Sequence, residues 1–412
     1  LVFNNLTISG TVTSVSPFTV EGNIDVSGTG SFVAATPSVV TINGSNTKTI
    51  TKATAGTLSF YDLALASTSG NNVTTASSFT VTQTMTVGAN AALTASDGTV
   101  TFNISTNTPV IITNSASITS LNFNNLAVST TVAVTSVGSY SVNGNLTKSG
   151  AGTFIPAAAS TVRFNNSLKK RISTTGGAVT FGNITVTDGS YIEIGDGSTG
   201  GDQGSFSIGA AAAITVQGSG KLIAVEGTVT YSAAGSISSA SGSTLTFYNL
   251  AVAGAVTTSS SFNIAGGTAC FSGAGTLTAT AGTITFSGNA PATITNTGST
   301  FFNVNIAPLV VNQVASVSTA VAAITVAGNF TVAAGSSFSA TTPSVITFTN
   351  IAQRTITNNG TLSFFGLTVD AASDVVTTSS FTIADVFTNT GTFTASGTST
   401  ITLSGAGTNI AT

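Results

Sequence analysis

The chain has 412 residues and carries 9 Lys and Arg against 12 Asp and Glu, so charged side chains make up 5% of it and the net charge is -3. Histidine is absent, which removes the usual general base near neutral pH along with Ser-His-Asp, Cys-His and His-zinc chemistry, and the weak negative balance offers no electrostatic footprint for nucleic acid. A hydrophobic content of 41% excludes a disordered polar tract, no apolar run is long enough for a transmembrane helix, and 5 Tyr with no Trp argue against the aromatic girdles of a transmembrane barrel.

Self-similarity dominates everything else. A hexapeptide, Phe-x-Asn-Leu-x-Val with aliphatic substitutions, starts at Phe3, Phe60, Phe123, Phe181, Phe247, Phe301 and Phe364. Seven units of about 59 residues, beginning near residues 1, 58, 121, 179, 245, 299 and 362, therefore fill the chain as one continuous array over 1–412. Further landmarks follow each hexapeptide in a constant order. An aromatic-x-aliphatic segment such as Phe18-Thr19-Val20 comes first, then Gly-Asn-aliphatic as at Gly22-Asn23-Ile24, Gly144-Asn145-Leu146 and Gly328-Asn329-Phe330. Phe/Leu-x-Ala, a segment like Val100-Thr101-Phe102 and a short Ile-bearing segment close the unit. These pieces alternate apolar with Thr or Ser, favour β-branched and aromatic types, and are bounded by Gly, Asn and Ser, so they read as strands, about six per unit and with no helix.

The hexapeptide encodes a corner. In Leu58-Ser59-Phe60 the alternation puts Leu and Phe on one face, and it resumes at Leu63-Ala64-Leu65 one residue out of phase, which demands a bend or bulge between two inward-facing strands. The phase slips at Asn5, Asp62, Asn125, Asn183, Asn249, Asn303 and Gly366, all types that tolerate left-handed backbone or bond their own main chain. Stacking unit on unit predicts a ladder of these Asn amides.

A 59-residue unit is too small to close a sandwich core alone, so neighbouring units must share one. The expected fold is all-β, a β-solenoid (β-helix) of about seven repeats; a string of small β-sandwich or barrel repeats is the alternative. Two coils of three strands or three coils of about 20 residues both fit one unit. The two ends of the chain match across a unit junction, so the expectation is an excerpt of a longer array or a subunit that pairs head to tail.

The hexapeptide at Phe123 to Val128, with the Gly-Thr-Phe-Thr-Ala and Ile-Thr-Phe-Ser-Gly types at Gly391 to Ala395 and Ile284 to Gly288, resembles the very large bacterial surface proteins built from β-strand repeats, which overlap in style with filamentous-haemagglutinin-like solenoid adhesins. The resemblance implies an extracellular, cell-surface stalk, fibre, sheath or adhesin shaft, self-associating or part of a longer chain, with no catalytic residues to carry over.

Local departures mark the fourth unit. Asp188, Glu193, Asp196 and Asp202 lie among glycines in its insertion, an oxygen-rich composition that suits Ca2+, although a solvated loop also accounts for it. Arg163, Lys169, Lys170 and Arg171 precede it, with Lys48 and Arg354 in similar places in their own units. They read as edge charges that blunt exposed strands, with lateral contact between rods as the other reading. Cys270 cannot pair internally and reads as a core thiol. Regularly spaced Thr leaves a glycan- or ice-binding surface module as the second functional expectation, polysaccharide being the candidate partner and Ca2+ the only candidate ion. An enzyme is not expected.

Overall fold

The structure is a computed structural model that describes residues 1–103, 110–195, 204–288, 291–307, 315–405 and 410–411. The strands among them pair in parallel, and no helix occurs among them. A parallel pair needs a crossover between its strands. Here the crossover is the rest of one coil, so partners lie 18 residues apart at Leu6 and Ile24, 20 at Thr11 and Ser31, and 28 at Leu93 and Leu121. The fold is a parallel β-solenoid of about 17 turns, with three strands to the coil.

The coils group into two compact units, residues 1–207 with 217–221, and residues 208–216 with 222–412. In the first unit, one face begins Val2–Phe3, Phe18–Val20, Val39–Ile42, a second Leu6–Ile8, Ile24–Val26, Lys48–Lys52, and a third Thr11–Ser14, Ser31–Ala34. Thr57–Leu65 and Phe79–Val87 each bend from the third face into the first, with the register slipping between Val81 and Thr84. The second unit repeats the plan on three stacks, which pass through Thr244–Phe247, Asn249–Val252 and Ala255–Thr258.

Alternation decides which side chains enter the coil. In Phe18–Val20 and Phe262–Ile264 the outer two residues are buried and the middle one half-buried, as a period of two requires. Phe rings fill the interior edge to face. Successive centroids along Phe3, Phe18, Phe32, Phe60 and Phe79 lie 5.6, 6.0, 6.0 and 5.6 Å apart, the T-shaped geometry favoured by ring quadrupoles.

The hexapeptide is a corner, as its phase slip predicts, but the unit contains eight strand segments rather than six. Among the described residues, counting the two bent strands as two segments each, eight separate one hexapeptide Phe from the next. Three segments make a coil, so a unit spans two and two-thirds coils, and neither whole-number option holds. Within each compact unit the hexapeptide consequently moves to a new corner at each recurrence. In the first unit Phe3 precedes the corner from the first face to the second, Phe60 that from third to first, Phe123 that from second to third, and Phe181 returns to the first corner. In the second unit Phe247, Phe301 and Phe364 also occupy three different corners.

This overturns the unit-to-unit Asn ladder, because successive hexapeptide Asn residues lie on different edges. The stacking partner is instead the Gly-Asn landmark of the same unit, one coil on. Asn5 Oδ1 accepts the Asn23 amide N–H at 2.8 Å, Asn125 that of Asn145 at 2.9 Å, and Asn303 that of Asn329 at 2.8 Å. The second Asn then accepts from the next coil through its own Oδ1, from Thr49, Arg171 and Thr355, each at 2.9 Å. Asp62 takes the Thr84 amide in the same manner at 2.9 Å. The landmark glycine is required by close approach: a Cβ on Gly22, Gly144 or Gly328 would overlap the hexapeptide Asn side chain and the carbonyl oxygen before it, well inside van der Waals contact.

Candidate functional site

Outward-facing residues stack into rows because each coil lies in register on the last. On one face of the second unit, Thr257, Thr278, Thr300, Thr325, Thr347, Thr368 and Thr388 form an unbroken column, each the paired neighbour of the next. A second face carries Thr293, Ser318, Ser339, Ser363, Thr382 and Thr402. Strand spacing sets about 4.8 Å between successive hydroxyls. Two residues back in its strands the threonine column has no companion column: Thr276 stands before Thr278, but Ala255, Ala323, Val345 and Gly366 stand before Thr257, Thr325, Thr347 and Thr368. These surfaces can donate and accept hydrogen bonds but hold no group that moves a proton near neutral pH.

The first unit carries a different surface. On its third face Lys169 pairs with Tyr191 and Arg171 with Glu193, one coil above. Glu193 is 5% exposed and bonds both cations, through Lys169 Nζ and through Arg171 Nε at 3.1 Å, while Lys169 and Arg171 remain 46% and 43% exposed. Lys221 lies one coil above Tyr191, its amide donating to Ser190 O at 2.7 Å. The ammonium groups of Lys169 and Lys221 stand 5.7 and 5.8 Å from the centre of the Tyr191 ring, within cation–π range. Arg163, by contrast, sits on the second face between Ser141 and Thr185.

The four acidic residues singled out for Ca2+ separate into two groups. Asp196 and Asp202 lie outside the described residues. Glu193 is engaged with the two cations, and Asp188 accepts the Ser219 amide at 2.7 Å and its hydroxyl at 2.8 Å, bonds that hold its carboxyl below the usual carboxylate range. Among the described residues no group of three His, Cys, Asp or Glu is placed to hold a metal ion. Of the corner set, Asn5, Asp62, Asn125 and Asn303 accept across coils as above, Asn183 and Asn249 begin strands that leave the corner, and Gly366 does the same with its amide bonded to Ser344 O at 2.9 Å.

Lys48 is not an edge charge. It is buried, and its ammonium donates to Gly44 O at 2.8 Å, Asn46 O at 2.6 Å and Asn71 Oδ1 at 3.2 Å. Lys148, which the sequence pattern did not single out, is 0% exposed and donates to Ser149 O at 2.7 Å, Gly150 O at 2.8 Å and Gly176 O at 3.3 Å. Burial pulls both ammonium groups below the ordinary lysine range. Arg354 is half-buried over the Phe302 ring at 5.3 Å. Cys270 is buried and unpaired, its thiol pushed up to about 12 by desolvation.

A second recurrent corner, Thr-x-Ser-Ser-Phe, occurs at Thr75 to Phe79, Thr258 to Phe262 and Thr377 to Phe381. In each, the Thr hydroxyl accepts the amide two residues on at 3.0 Å, and the last Ser accepts an amide from the next coil, from Thr99, Thr283 and Thr400, each at 2.9 Å. Shallow clefts open beside two of them, one of about 210 Å³ over Leu58, Ser78 and Phe79 and one of about 250 Å³ over Leu362, Ser380 and Phe381. Neither cleft is lined by a carboxylate, so neither assembles an acid–base pair. No helix among the described residues is long and apolar enough to cross a membrane.

No protein-family model, no curated protein and no solved structure matches the chain.

Proposed function

We propose that the chain is a non-catalytic shaft segment of an extracellular bacterial surface fibre or adhesin, carried as part of a longer array or assembled end to end with copies of itself. The observation that carries this reading is the parallel coil-on-coil pairing. Each coil offers the next a full set of backbone donors and acceptors along one direction, which is the property that lets a fold extend by adding identical steps. The resemblance of the hexapeptide array to β-strand-repeat surface proteins is what supports a cell-surface location for it. A surface of Thr and Ser rows with 5% charged residues suits a shaft whose work is to span distance.

Electron microscopy of the purified chain, with fibre diffraction of concentrated material, tests the proposal. Elongated particles or filaments with an axial repeat near 4.8 Å are expected, and discrete globules with no axial order would refute it. The seven-threonine column favours a second reading, a glycan- or ice-binding module. That reading requires thermal hysteresis or retardation by neutral polysaccharide that disappears in Thr325→Val/Thr347→Val; a shaft shows neither.

A further inference from the structure

The basic cluster on the third face of the first unit brings charge, an aromatic ring and exposure together. Lys169, Arg171 and Lys221 present three cations around Tyr191 and Glu193. Within this group of five side chains the one carboxylate, Glu193, lies beneath two of the cations and is 5% exposed, so the group presents two more positive than negative charges. That surplus is local, since the chain as a whole carries -3.

We propose that this cluster binds a linear polyuronate, a polysaccharide bearing one carboxylate per sugar, laid along the coil axis. Three features select that ligand. Lys169 and Lys221 lie two coils apart, about 9.6 Å at the strand spacing, so the cations repeat along the stacking direction and meet a polymer that runs the same way. The Tyr191 ring stands between the two ammonium groups and holds them apart, while Glu193 fixes Lys169 and Arg171 from below, so little side-chain entropy remains to be lost on binding. The flanking positions are hydroxyls, with Ser173 two residues beyond Arg171 in the same strand and Thr147 on the coil below, which suit sugar hydroxyls. A surplus of two charges matches one carboxylate per sugar better than a densely sulfated chain. The site needs neither the shaft reading nor the threonine column, which lies in the other unit.

Native-gel affinity electrophoresis of the full chain with sodium alginate or polygalacturonate in the gel tests the proposal, with dextran and dextran sulfate as parallel gels. Retardation by both polyuronates at low salt, fading as salt rises, and none by dextran are expected. Lys169→Gln/Lys221→Gln is expected to weaken retardation at least 10-fold. Tyr191→Ala weakens it and Tyr191→Phe retains it, since the ring is a spacer. Arg163→Gln removes the same charge from another face and leaves retardation unchanged, and circular dichroism of each variant identifies any that fails to fold. Lys221→Gln, at the exposed margin without an ion pair to Glu193, provides the variant least exposed to that failure.

Equal loss in Arg163→Gln and Lys221→Gln would overturn the site in favour of bulk charge. Absence of polyuronate retardation, or retardation by dextran sulfate that survives the double substitution, would also overturn it. Slow migration in plain gels that Lys169→Gln/Lys221→Gln relieves, without any polyuronate effect, would assign the cluster to self-association instead. Globular particles by microscopy would remove the shaft and leave this result standing.

Discussion

Substituting Lys148 by Met keeps the length of the side chain and removes its charge from the interior. The ammonium is 0% exposed and donates to three backbone carbonyls, at 2.7, 2.8 and 3.3 Å. A hydrogen bond from a charged donor contributes roughly 1.5–3 kcal/mol, and the desolvation of the ion costs several kcal/mol in return. Truncation also leaves the carbonyls of Ser149, Gly150 and Gly176 without that donor, at roughly 1–3 kcal/mol for a group left unsatisfied. A net loss of about 2–4 kcal/mol follows, or roughly 4–16 °C in Tm for a unit of this size. The pH dependence isolates the charge. Burial lowers the folded-state pKa of Lys148, so between that lowered value and the unfolded value of 10.5 the unfolded chain binds more protons than the folded one, and stability due to this group rises with pH through that window. Thermal unfolding of both proteins from pH 7 to 10 is therefore expected to show the wild type gaining on Lys148→Met as pH rises. A variant as stable as the wild type, or a gap that narrows with pH, would refute the reasoning.

Other substitutions read other parts of the fold. Gly328→Ala forces a Cβ against Asn303 and the Phe302 carbonyl and is expected to cost about 1–3 kcal/mol in denaturant unfolding, whereas Gly10→Ala, which meets nothing, is expected to fall within about 0.5 kcal/mol of the wild type. Phe364→Ala empties a fully buried position in contact with Phe330, Phe338 and Phe381, and a loss of about 3–5 kcal/mol is expected by the same measurement. Cys270, buried with its thiol raised to about 12, is expected to resist a thiol-specific disulfide reagent at pH 8 until denaturant is added; stoichiometric labelling of the native chain would contradict its burial.

Period-two alternation made the strands and the solenoid legible, because inward Phe, Leu, Ile and Val mark each segment regardless of its neighbours. The strand count was harder. Thr11–Ser14 contains one apolar residue among four, so it looks like loop on composition. The coil count failed for a related reason: sequence similarity reports when a strand–corner–strand pattern recurs, and it does not report which face the strand is on. The Gly-Asn landmark was visible, but its partner was not, since 18 residues separate Asn5 from Asn23, 20 Asn125 from Asn145 and 26 Asn303 from Asn329. Lys48 and Lys148 were hidden by residue type. Lysine is rarely buried, and only a bend that turns several carbonyls inward makes a place for one. In the basic cluster the signal was the crowding of Lys169, Lys170 and Arg171; Tyr191 and Lys221 join it only through stacking.

Eight segments per repeat and three per coil share no common factor, and that mismatch governs how such a chain can change length. Removing one whole repeat from within a compact unit leaves every local junction intact, since a hexapeptide corner replaces a hexapeptide corner, yet it advances all that follows in that unit by one face. Removing a single coil does the opposite, preserving the faces while cutting through the repeat. Only three repeats, eight full coils, satisfy both requirements. A surface patch such as the lysine cluster is thus addressed by its phase around the coil as well as by its place along the chain, and duplication of a repeat turns that address as surely as a point substitution erases it.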